Sequence, residues 1–95
     1  MAEQGIIYVG NKPFMNYVTA VVMQFTSQDA KEVVIKARGR YISRAVDVAE
    51  VVRKKFLAGQ VDIKSIKTDS EERAVDQSGR KRRVSTIEIV LAKVE

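Results

Sequence analysis

Two clusters of cationic side chains carry the most distinctive chemistry in this sequence. The first, Lys36, Arg38, Arg40 and Arg44, surrounds Gly39, and the second is the uninterrupted run Arg80, Lys81, Arg82 and Arg83. Arginine binds phosphate oxygens in bidentate pairs, and a glycine lets backbone approach a phosphate closely. A helix starting just beyond Gly39 would add its N–H groups and the positive end of its dipole. The spacing is neither that of a P-loop nor that of a dinucleotide fingerprint, which argues against a bound mononucleotide. The competing explanation is a solvated turn whose arginines pair with Glu32 or Asp47. The second cluster is weak by composition alone, but it follows the turn signal Ser78 and Gly79. A cationic ribbon on an arm can follow a groove, and arginines suit a narrow, electronegative minor groove. Asp69, Glu71, Glu72 and Asp76 would pair with this run across the hairpin when no ligand is bound. Lys12, just before the first helix, is either a phosphate contact or a plain surface lysine. Tyr8 and Tyr41 read as packing residues rather than base-stacking platforms.

Other chemistries are largely excluded. The chain has no cysteine and no histidine, which removes thiolate catalysis, disulfides, finger-type zinc sites and the commonest general base. No metal and no cofactor are expected. A small enzyme using Ser43 or Ser85 with a lysine is the remaining catalytic reading, and 95 residues rarely enclose the pocket it would need. That length fits one domain, 1–95, with its hairpin arm at about 68–85. With 17 Lys+Arg against 12 Asp+Glu the net charge is +5, which favours polyanionic partners. The charge is uneven: +6 over residues 31–67, −3 over 68–79 and +3 over 80–95. No apolar run approaches a membrane span, and MAEQGIIYVG has no signal-peptide pattern, so a cytoplasmic protein without a membrane partner is expected.

The elements that must position these residues can be read from periodicity. Ile6 to Val9, between Gly5 and Gly10, is a short run of β-formers that predicts a buried strand. Pro13 opens a helix, with Asn11 as its cap, and Phe14, Val18, Val21, Val22 and Phe25 form one apolar face. Lys31 to Ala37 predicts a second strand, and Ile42 to Leu57 a second helix stopped by Gly59. The apolar arc of that helix is too wide for one sheet. The surplus around Val48, Val51 and Phe56 suggests a second copy of the chain; the alternative is ordinary valine use in a small core. Val61 and Ile63 begin a third strand, and the change of phase at Ile66 calls for a bulge near Lys64 or Ser65. Val84 to Val94 is the last strand, with Ile87, Ile89 and Leu91 on one face. Residues 70–83 between them form either a loose loop or a long hairpin arm. The order β-α-β-α-β-β implies a mixed sheet with helices against it.

The segments VGNKPFMNYV, EVVIKARGRYISRAVDVAEVVRKKF and RRVSTIEIVLAK resemble the Alba family of archaeal DNA- and RNA-binding proteins over nearly the whole chain. The KARGR-x-ISRAVD stretch is the most specific part. The expected fold class is therefore α/β, a two-layer sandwich with a mixed four-stranded sheet, two helices on one face and an extended hairpin between the third and fourth strands. The resemblance implies a homodimer that binds double-stranded DNA and RNA without strong sequence preference, compacting chromatin and stabilising RNA. An RNA-only role in an RNA-processing ribonucleoprotein is the alternative. Lys12, Arg38, Arg40 and Arg44 then match the surface of the dimer body, Arg80 to Arg83 the arms, and Phe56 a contact between dimers. A paralogue and a deacetylase complete the implied partners. Where some relatives carry a lysine associated with acetylation this chain has Asn11, so modification could fall only on the neighbouring Lys12.

Overall fold

Alternating apolar residues on two central strands organise the protein, whose computed structural model describes residues 4–74 and 78–94. The strands are β1 (Gln4–Tyr8), β2 (Glu32–Arg38), β3 (Val61–Ala74) and β4 (Lys81–Lys93). They form one sheet in the order β1-β2-β4-β3. The β1–β2 pair is parallel, because helix α1 (Phe14–Thr26) carries the chain back across the sheet. The β2–β4 and β3–β4 pairs are antiparallel. Val33, Ile35 and Ala37 of β2 share a face with Ile87, Ile89 and Leu91 of β4, and α1 and helix α2 (Ile42–Val51) bury that face. Mixed pairing and a helical layer on one side agree with the expected α/β architecture.

Several local expectations need correction. The first strand is half buried: it lies at the sheet edge, so Ile7 packs on the core while Ile6 and Tyr8 are exposed on the face without helices. Asn11 does not cap α1. Pro13 occupies the N-cap position without a side-chain hydrogen bond, at φ −54° and ψ 139°. The second helix is regular only to Val51; Val52–Phe56 forms a π turn in which the Leu57 N–H donates to the Val52 carbonyl at 2.8 Å. This wider turn places Leu57 above Val52, and both are buried, whereas Phe56 remains half exposed. Arg53 braces the turn, its guanidinium donating to Glu50 at 2.6 Å and to Asp62 of β3 at 3.2 Å. The hydrogen bond from Arg53 is the main reason that the Glu50 carboxyl titrates below its ordinary range.

The bulge lies where the phase change required it, with the β3–β4 register shifting between Ile63 and Ser65. Residues 70–74 and 81–83 prove to be strands of an arm rather than a loose loop. Past the end of β2, five cross-strand pairs from Ser70–Ser85 to Ala74–Lys81 continue as a two-stranded ribbon. At 3.4 Å per residue the ribbon extends about 17 Å from the body. It explains the elongated shape, 51 × 24 × 21 Å, and a radius of gyration of 14.8 Å where about 12 Å is usual for a chain this long.

Val48, expected at a subunit interface, is fully buried inside its own chain, while Val46, two residues earlier, is 40% exposed. The two lie on different sides of α2, one toward the sheet and the other toward solvent. Val48→Ala should therefore cost about 2 kcal/mol of stability through the cavity it leaves, whereas Val46→Ala should stay within about 0.5 kcal/mol in the isolated chain. Denaturant titrations followed by circular dichroism would measure both.

Candidate nucleic-acid interface

The Gly39 turn is built by backbone geometry. Gly39 has φ +56°, in the left-handed region that disfavours side chains, and it begins a short 3-10 turn (Gly39–Tyr41) that leads into α2. A Cβ there would meet only Val84 Cγ1, at 3.9 Å. Glycine is thus required by conformation rather than by lack of space. Neither the 3-10 turn nor α2 has a side-chain cap at its start.

Around this turn the four predicted cations separate into two groups. Lys36 and Arg38 project from β2 onto the helix-free face, and Arg40 lies exposed on the 3-10 turn. Arg40 donates to the Tyr41 hydroxyl at 3.0 Å and lies over the Tyr41 ring. Arg44 instead reaches into the chain. Its Nη1 donates to the Gly10 carbonyl at 2.6 Å, and its guanidinium lies 5.7 Å from the centre of the Tyr17 ring. The Tyr17 hydroxyl accepts from the backbone N–H of both Gly10 and Lys12, each at 3.0 Å. Tyr17 and Arg44 together fix the loop that presents Lys12, whose side chain is exposed.

The arm brings further charge to the same face. Strand alternation places Arg82 on the helix-free side with Arg73 directly opposite, and Lys81 and Arg83 on the other side. Arg80 precedes the strand and is exposed, with an interaction of its own. Between arm and body lies an open concavity of about 870 Å³, bordered by Lys36, Arg38, Arg40, Lys67, Arg73 and Arg82. Three residues of the first basic cluster, Lys36, Arg38 and Arg40, meet one of the second, Arg82, there. Lys67 and Arg73 carry no local signal in the sequence, because only the β3–β4 register shows which side of the ribbon they occupy.

The expected neutralisation of the arm takes a different form. Glu71 lies 3.9 Å from Arg73 and 4.0 Å from Arg38, so its carboxylate links arm to body instead of pairing with the Arg80–Arg83 run. Glu72 stands opposite Arg83 in the ladder, Asp69 accepts from the Ser70 N–H at 2.7 Å, and Asp76 lies outside the described residues. Glu32 pairs with Lys64. Lys36 pairs with Glu88 at 3.4 Å. Tyr41 packs against the core as expected, but Tyr8 is 69% exposed. Ser43 and Ser85 are both exposed.

The fold and this surface define a class of small two-layer α/β proteins with a cationic concavity and a projecting basic arm. Comparison with known proteins identifies the family. The Alba sequence profile matches residues 5–70. A DNA/RNA-binding protein Alba from Nanoarchaeum equitans is 68% identical over 87 residues, covering 92% of this chain and 96% of that protein. DNA/RNA-binding protein Alba 1 from Archaeoglobus fulgidus is 59% identical over 93 residues, covering 98% and 99%. The solved structure of Alba from Thermoplasma volcanium superposes with a TM-score of 0.81 at 48% identity, covering 93% of this chain and 99% of that one. The chain belongs to the Alba family.

Tyr17→Phe would leave the Gly10 and Lys12 N–H groups without their acceptor in a partly buried setting. It should cost about 1–3 kcal/mol and speed amide exchange at those two residues, as measured by hydrogen exchange with NMR detection.

Proposed function

We propose that this protein binds double-stranded DNA and RNA without strong sequence preference, as a homodimer that coats and compacts the chromosome and is not an enzyme. The observation that carries this reading is the concavity bordered by cations from both the Gly39 turn and the projecting arm. The relatives that bear the name DNA/RNA-binding protein support it. Lys36, Arg38 and Arg40 act from the body, Lys12 from the loop that Tyr17 holds, and Arg80, Lys81, Arg82 and Arg83 from the arm. Arg44 works by fixing that loop. Among the described residues no helix is long and apolar enough to cross a membrane.

Phosphate contacts should dominate affinity. A dimer that neutralises about six phosphates would show a slope near −5 in log K against log salt, and a slope near zero would sink the proposal. The arm should favour B-form DNA, whose narrow minor groove concentrates negative potential, over the wide and shallow minor groove of A-form RNA. Arg38→Ala with Arg40→Ala should weaken duplex DNA and duplex RNA alike. Arg82→Ala with Arg83→Ala should weaken DNA by about tenfold more than RNA, or 1.4 kcal/mol. Equal losses would mean that the arm acts only as diffuse charge.

The apolar groups left exposed beside α2 support a dimer surface there. Val46 is 40% and Ile66 55% exposed, and Ile42 borders a shallow groove with Thr68 and Ser85 at the base of the arm. Val46 is one helical turn beyond Ile42, and Ile66 is two residues before Thr68 on β3, so these groups continue one surface. Val51 is partly buried at the edge of the core, and Phe56 is left for contact between dimers. Val46→Asp should shift the sedimentation of the folded protein from dimer to monomer, and a native monomer at micromolar concentration would refute the dimer. Phe56→Ala should leave the dimer intact while reducing cooperative coating of long DNA.

A further inference from the structure

Tyr8 is the most exposed aromatic side chain among the described residues, and its position is unusual for a packing residue. It stands at the end of edge strand β1 on the face of the sheet that carries no helix, 69% exposed. The backbone beside it is firmly placed: Tyr8 pairs with Lys36 in the parallel ladder, and the Val9 N–H donates to the Lys36 carbonyl at 2.8 Å. Its ring borders the same concavity as Lys36, Arg38 and Arg40. Lys36 Nζ lies 5.9 Å from the ring centre. Ile6, two residues earlier and on the same face, is 47% exposed and extends the flat apolar surface along the strand.

We infer that Tyr8 is a stacking platform for an unpaired nucleobase, making the helix-free face of the sheet a site for a single-stranded segment of RNA or DNA. The inference rests on the proposed nucleic-acid binding and adds a distinct ligand class to it. An aromatic ring offers a base more than charge does, because every base has a π face and such stacking tolerates any sequence. The interior of a duplex cannot use the platform, since its base faces are already stacked on one another. The cations supply the rest of the recognition. Arg38 lies two residues beyond Lys36 on the same side of β2, so phosphates on the strand leaving the ring would meet Arg38 and then Arg40 on the adjoining turn. Glu88 pairs with Lys36, which lies over the ring, and it does not cancel the site, because the cations bordering the concavity outnumber its carboxylates, Asp69, Glu71 and Glu88.

The test compares the native protein with Tyr8→Ala and Tyr8→Phe at one salt concentration. The ligands are a single-stranded oligouridylate of about twelve nucleotides, a duplex DNA of matched length and an abasic deoxyribose-phosphate strand. Tyr8→Ala should weaken the oligouridylate by about fivefold or more and leave the duplex and the abasic strand within about twofold of native, which is the scatter expected of a site that contributes no stacking to them. Tyr8→Phe should keep native affinity throughout, since the ring and not the hydroxyl makes the contact. An unchanged oligouridylate affinity in Tyr8→Ala, or an equal loss on all three ligands, overturns the inference. Native protein that binds none of the three overturns the proposed function as well, which separates the two failures.

Discussion

The antiparallel ladder between β2 and β4 is the interaction on which the rest depends. It pairs Val33 with Leu91, Ile35 with Ile89 and Ala37 with Ile87, all on the helix-covered face. Because side chains alternate along a strand, the same register sends Lys36, Arg38, Thr86 and Glu88 to the opposite face. A slip of one residue would exchange core for charge, so burial of the aliphatic set fixes the placement of the cations. Val34 and Val90 mark the boundary of that division. They face each other across the ladder on the helix-free side, yet are only 3% and 8% exposed. Their neighbours in the ladder are the charged pair Lys36–Glu88 and Glu32, which meets Lys64 from β3.

The fold was legible wherever burial imposed a period. Ile87, Ile89 and Leu91, the apolar face of α1 and even the bulge between Ile63 and Ser65 all follow from alternation or its interruption. Local signals were weaker guides where tertiary contacts decide. Asn11 has the composition of a cap, but the loop before α1 is ordered by the Tyr17 hydroxyl and by Arg44, which comes from 34 positions further along the chain. No local reading finds that partner. The π turn after Val51 was equally hidden, since it depends on Leu57 reaching the core and on Arg53 reaching Asp62.

The candidate site was legible as composition and not as geometry. Basic residues around Gly39 and after Gly79 are plain in the sequence, but their union in one concavity requires the register that sets Arg82 against Arg73. Val48 and Tyr8 depart from expectation for one reason: an apolar arc does not reveal how α2 is rolled on the sheet, and nothing local marks β1 as an edge strand. A wide arc shows that a helix has two contacts, not which residue serves each.

The facing pair Arg73 and Arg82 makes the arm and its ligand mutually dependent. Like charges directly opposite each other weaken a ribbon, and among the described residues no third strand pairs with this part of it. An anion seated between the two guanidinium groups turns one repulsion into two attractions. Glu71, shared between Arg73 and Arg38, provides a partial substitute and at the same time ties the arm to the body. A polyanion seated between the two arginines would supply the same countercharge without holding the arm to the body. Thermodynamic linkage then requires that whatever orders the ribbon also tightens its hold on charge.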